Sequence, residues 1–161
     1  MDYNIRELKR NETKLLDTFL YEAIFIPEGV QAPSKDIIKH PDLQIYVADF
    51  GKKEDLCYVA EVEGRVVGAV WTRIINDYGH IDDETPSLSI SLLKEYRNLG
   101  IGTELMKQIL LTLKEQEYKQ VSLSVQKANY AVYMYKKVGF EVAFEHEEDY
   151  IMICNLVHLK L

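Results

Sequence analysis

Arg97-Asn98-Leu99-Gly100-Ile101-Gly102 stands between an apolar run, residues 88–93, and an amphipathic segment that opens near Thr103. Glycines at alternate positions let a backbone turn tightly and bring its N–H groups close to a ligand. A helix that starts at such a turn points its positive end at the same spot. Strand, glycine turn and helix N-terminus together form an anion site suited to phosphate. The Arg97 guanidinium and the Thr103 hydroxyl offer further donors, and Arg matches phosphate geometry. The chemistry is that of a nucleotide-type cofactor held through its pyrophosphate. Two familiar arrangements do not fit: a dinucleotide fingerprint needs a third glycine where Leu105 stands, and the Gly-Lys-Ser/Thr end of a P-loop is absent. Two glycines in a turn also end strands in proteins that bind nothing, so the turn alone leaves that alternative open.

A second motif lies downstream: Asn129-Tyr130-Ala131-Val132-Tyr133-Met134-Tyr135-Lys136-Lys137-Val138-Gly139-Phe140. The two motifs, in this order and about one helix and one strand apart, resemble the GNAT superfamily of acyl-CoA-dependent N-acyltransferases. There an Arg/Gln-x-x-Gly-x-Gly turn precedes an Asn…Ala…Tyr…Gly-Phe segment. The resemblance covers roughly residues 87–140; the first third of the chain matches only in general layout.

The resemblance implies the GNAT fold and an acetyl-CoA-dependent N-acetyltransferase that transfers the acetyl group directly to a primary amine of a small molecule, peptide or protein. A non-catalytic acyl-CoA sensor or interaction domain on the same fold is the alternative. It further implies that residues Arg97, Asn98, Leu99, Gly100, Ile101, Gly102 and Thr103 hold the pyrophosphate. Ser91, Leu92 and Leu93 then present backbone groups to the pantetheine arm, and Lys94 stands where the family often has Pro. Asn129 contacts the coenzyme, although capping a helix also explains an Asn there. Tyr135 aligns with the family tyrosine. A phenol with a reference pKa of about 10 is neutral at pH 7 and can protonate a leaving thiolate, which makes Tyr135 the candidate general acid; a tyrosine packed in the core is the other reading. Tyr133, two residues earlier, should face elsewhere on a helix. Glu84, near Asp82, Asp83 and His80, is close to where the family often places a carboxylate base. A solvated acidic loop with a water relay is the competing reading. Tyr21, Glu22, Glu28 and Trp71 are candidates for the acceptor side, with Trp71 also reading as a core residue.

The elements that must position these groups follow from periodicity and breakers. Residues 3–8 read as a strand, and Asn11 as the cap of a helix over 12–23 with Leu15, Leu16, Phe19 and Leu20 on one face. Pro27 and Gly29 mark a loop, and Ser34 caps a short helix that stops before Pro41. Residues 57–63 and 66–75 form a hairpin around Gly64-Arg65, and an acidic loop leads to the strand 88–93. Leu105, Met106, Ile109, Leu110 and Leu113 recur at helical spacing. A strand over 120–125, a helix over 129–137 and strands over 140–144 and 150–156 complete a mixed α/β architecture: one central, mostly antiparallel sheet with helices on both faces.

Composition narrows the classes. The chain has 161 residues, enough for one domain, and residues 1–161 read as a single N-acetyltransferase domain. No apolar run reaches the ~18 residues of a membrane span, and the polar N-terminus does not resemble a signal peptide. Cys57 and Cys154 are the only cysteines and sit in apolar runs. They read as reduced core residues of a cytoplasmic protein, and neither they nor the four histidines have metal-ligand spacing. The formal net charge of −7 argues against nucleic acid as a partner. The apolar C-terminal segment, residues 151–161, lies near an expected sheet edge and makes a homodimer an open expectation.

Overall fold

The computed structural model describes residues 1–160. Seven strands form one sheet in the order β1-β2-β3-β4-β5-β7-β6. They are β1 (Asn4–Glu7), β2 (Leu56–Val62), β3 (Arg65–Arg73), β4 (Ser87–Leu92), β5 (Gln120–Gln126), β6 (Phe140–Glu145) and β7 (Asp149–Asn155). Every pairing is antiparallel except β4 with β5. The four helices are α1 (Leu15–Glu22), the one-turn α2 (Pro41–Gln44), α3 (Ile101–Glu115) and α4 (Ala131–Val138).

Alternation along the strands supplies two cores. Cys57, Val59, Ala69 and Trp71 meet Leu16, Phe19 and Leu20 of α1 on one face. Tyr58, Ala60, Val70 and Leu88 meet the apolar stripe of α3 on the other. That stripe is Leu105, Met106, Ile109, Leu110 and Leu113, all at most 1% exposed. Helices therefore cover both faces, as the α/β reading of the sequence expects.

The first helix begins later than the cap reading places it. Arg6 donates two bonds to the Glu12 carboxylate, both at 2.9 Å. The Lys9 N–H donates to the same carboxylate at 2.8 Å. These bonds pull residues Arg10–Glu12 into a 3-10 turn, and α1 starts only at Leu15, so Asn11 is not its cap. The C-terminal strand also differs. β7 pairs with β5 on one side and β6 on the other, so the edge strand is β6. Leu156 beyond β7 is fully buried, and Leu161 lies outside the described residues. No described helix is long and apolar enough to cross a membrane.

Candidate active site

The two parallel strands β4 and β5 pair only at Ser87 and Ser122. Beyond that point they part, and the backbone groups that β4 aims toward β5 have no strand partner among the described residues. The gap opens into a cleft of about 1470 Å³. Ile90, Ser91, Leu92 and Leu93 form one wall, the glycine turn its end, and residues 128–131 with Met134 and Tyr135 the opposite side. The end of α1 and the loop after it close the remaining side.

The turn is built by two left-handed residues, Asn98 at φ 62° and Gly100 at φ 87°. A side chain at such a φ costs about 1–2 kcal/mol, and glycine avoids the cost. α3 starts at Ile101, two residues before the sequence suggests, so Ile101, Gly102 and Thr103 form its first turn. The N–H groups from Asn98 to Thr103 meet no backbone carbonyl among the described residues. They sit at the positive end of a 15-residue helix and form a cradle for an anion. A Cβ on Gly102 would stand 3.2 Å from Leu92 Cδ1 and 3.4 Å from Met134 Sδ, so glycine keeps β4, α3 and α4 close. Ile101 is 1% exposed in the core, so it can offer a ligand only its main chain, whereas the Leu99 side chain is 51% exposed.

Arg97 is placed differently from the expectation of a phosphate donor. Its Nε donates to the Leu92 carbonyl at 3.0 Å and its Nη2 to the Glu22 carbonyl at 3.3 Å. It borders the cleft, but two of its five N–H groups are already used, one on the end of β4 and one tying the end of α1 to the turn. Ser91 makes a second tie: its buried hydroxyl donates to the Phe19 carbonyl at 2.6 Å. The Ser91 side chain thus faces α1, and only its backbone is available along the gap.

Tyr135 lines the cleft with a side chain only 8% exposed, packed near Phe140 with ring centroids 6.1 Å apart. Burial alone pushes its phenol up to about 12, so it holds its proton at all ordinary pH values. Tyr133 faces away, 67% exposed. The Asn129 side-chain carbonyl accepts from the Ala131 N–H at 2.9 Å and fixes the start of α4.

A sequence profile of the acetyltransferase (GNAT) family matches residues 20–140. The chain belongs to the GNAT family. An N-alpha-acetyltransferase of Sulfurisphaera tokodaii is 35% identical over 105 residues, 60% of this chain and 62% of that protein. A probable N-acetyltransferase, san, of Drosophila melanogaster is 33% identical over 106 residues, 65% and 55% of the two chains. The chain thus matches little more than half the length of these relatives. The fold is shared with the PaiA N-acetyltransferase from Thermoplasma acidophilum in complex with coenzyme A. Its TM-score is 0.70 at 20% identity, over 96% of this chain and 99% of that one.

In this GNAT chain the remaining sequence candidates fall in three places. Tyr21, Glu22 and Glu28 line the cleft at its α1 side, and the Tyr21 hydroxyl holds the following loop by donating to the Pro33 carbonyl. Trp71 does not line it: the ring is 1% exposed in the core and its Nε1 donates to the Tyr46 carbonyl at 3.0 Å. Glu84 is also not brought to the cleft. It is exposed, with its N–H donating to Asp82 Oδ1 at 2.9 Å. It precedes Ser87, where β4 and β5 are still paired. Ser87 itself lies about 13 Å along the strand from Ser91. Asp82 spends its carboxylate on Thr85 and the Glu84 N–H, bonds that lower its pKa. One His80 ring nitrogen is 2.9 Å from the Ile75 carbonyl.

Sequence reasoning missed part of the lining. Ile24, Phe25 and Ile26 are half-buried on the cleft wall. An apolar triplet inside a Pro/Gly loop was the available signal. Tyr130 was missed in the same way, though it stands inside the quoted motif.

Proposed function

We propose that the protein is an acetyl-CoA-dependent N-acetyltransferase, with residues 1–161 acting as one such domain and acetyl-CoA as co-substrate. The parting of β4 from β5 beside six N–H groups that meet no backbone carbonyl among the described residues carries this reading. The N–H groups of Asn98 to Thr103 hold the pyrophosphate, and the unpaired edge of Ser91, Leu92 and Leu93 pairs with the pantetheine amides. Asn129 holds α4 at the far wall. The thioester then lies in the gap beside Tyr135. The amine enters from the α1 side, past Glu22 and Glu28. Its nitrogen bonds to the acetyl carbon as the carbon–sulfur bond breaks. The leaving thiolate takes the Tyr135 hydroxyl proton, which solvent restores. The amine proton leaves through water, since Glu84 stands outside the cleft.

The N-alpha-acetyltransferase relatives favour the α-amine of a polypeptide as acceptor, and the Ile24-Phe25-Ile26 wall suits an apolar side chain beside that amine. The test is release of free thiol from acetyl-CoA with a panel of peptide N-termini, blocked lysines and polyamines. Turnover strongest with unblocked peptides supports the reading; preference for polyamines or lysine changes the acceptor class. Coenzyme binding without turnover of any amine would leave an acyl-CoA sensor.

A further inference from the structure

Two large aromatic side chains stand in solvent at the rim of the cleft. Tyr130 is 78% exposed and Tyr133 is 67% exposed, yet the rings hold each other, centroids 5.1 Å apart and tilted by 55°. Tyr130 lines the cleft that ends at the glycine turn. Its backbone position is fixed, because Asn129 accepts from the Ala131 N–H and the Tyr130 carbonyl accepts from the Tyr133 N–H at 3.1 Å. The spacing i, i+3 places both rings on one helix face. Tyr133 is turned away from Tyr135 and the core, so packing does not explain either ring. Met134, the residue after Tyr133, faces Gly102 of the turn.

From this we propose that Tyr130, buttressed by Tyr133, is the platform on which the adenine ring of the coenzyme stacks. The inference rests on the acetyl-CoA reading above. A pyrophosphate on the Asn98–Thr103 N–H groups has two arms: pantetheine runs into the gap, and the nucleoside must leave outward. Tyr130, the residue immediately before α4 on that outward path, presents an aromatic face. Base-on-aromatic stacking tolerates an open, wet site because each partner offers a π-face. The pair would therefore decide which coenzymes bind well, without touching the reacting thioester.

The test compares acetyl-CoA with acetyl-pantetheine, which carries the same thioester and no nucleotide. Rates are taken as kcat/KM, from the linear range for acetyl-pantetheine, in the parent, Tyr130→Ala, Tyr130→Phe and Tyr133→Ala. Loss of one base–aromatic stack corresponds to roughly a 5- to 150-fold fall. Tyr130→Ala should show such a fall with acetyl-CoA, through KM, and less than a twofold change with acetyl-pantetheine. Tyr130→Phe should keep the parental values, and Tyr133→Ala should show a smaller fall with acetyl-CoA alone. Equal losses with both donors, or no loss with acetyl-CoA, would overturn the platform. A parent that neither binds nor uses acetyl-CoA would instead overturn the acetyltransferase reading.

Discussion

At the scale of single residues, Tyr135 is the sharpest case. A buried phenol pushed up to about 12 is a weak acid in the ground state, and in the proposed role it would give up its proton only as the thiolate forms. Tyr135→Phe keeps the ring beside Phe140 and removes that proton. Turnover should fall by about 10²–10⁴-fold, mainly in kcat, with coenzyme affinity little changed. A kcat within about twofold of the parent, with chemistry rate-limiting, would leave Tyr135 as a packing residue. The same shift has a stability consequence. The folded pKa lies above the ordinary value of 10.0, so its contribution is intact below pH 10 and is lost as pH rises toward 12. Chemical denaturation should show a shallower alkaline decline in Tyr135→Phe than in the parent. The glycines separate backbone strain from crowding. Gly100→Ala meets open space but a φ of 87°, and should cost about 1–2 kcal/mol. Gly102→Val adds methyls against Leu92 and Met134, so it should abolish coenzyme binding with a modest loss of stability. Calorimetric titration of both variants checks this, and parental affinity in Gly102→Val would remove the turn from the site. Glycines and the tyrosine were legible because their motif is local. The place of Glu84 outside the cleft lining is not legible in the same way, because nearness in sequence to β4 says nothing about which end of the strand splays.

At the scale of elements, the site depends on α1 being held against β4. Ser91 and Arg97 do this from the strand and the turn, reaching Phe19 and Glu22 across more than seventy residues of sequence. Neither tie has a sequence signature, since both use backbone carbonyls as acceptors. Ser91→Ala removes one buried bond. The Phe19 carbonyl keeps its bond from the Ala23 N–H, so it is not orphaned. The expected cost is about 1 kcal/mol by urea denaturation, with a rise in acceptor KM as the wall of the cleft loosens. A loss above about 3 kcal/mol would mean that the serine supports the core and not merely the placement of α1. Helix spacing was read well for α3, whose stripe is wholly buried. It was read less well for α1, because the pull of Arg6 on Glu12 depends on β1 and on Glu61, the second acceptor of the Arg6 guanidinium at 2.8 Å.

At the scale of the molecule, the candidate site comes from one interruption in an otherwise continuous sheet. Strand identities were legible from alternation, but the insertion of β7 between β5 and β6 is a non-local pairing that no spacing announces. It also sets the edges: the sheet ends at β1 on one side and at β6 on the other, and β6 carries Glu141 and Glu145 and a register shift between Val142 and Phe144, charges and a bulge of the kind that discourage edge-to-edge pairing. The split sheet also sets how ligand and fold are coupled. The cleft draws its walls from β4, the turn before α3, α4 and the end of α1, so a coenzyme seated there bridges elements from both cores. A ligand held in this way would bind the folded chain and not the unfolded one. Acetyl-CoA at a hundredfold excess over its dissociation constant should then stabilise the fold by roughly 2.7 kcal/mol. Pantetheine fragments, which lack the pyrophosphate, should do so far less at equal concentration, since they forgo the six N–H groups of the turn. Scanning calorimetry with each ligand measures the difference. Equal shifts would place the binding energy in the gap between β4 and β5 instead of the turn. No shift with millimolar acetyl-CoA would mean that this cleft, in spite of its geometry, does not serve the coenzyme.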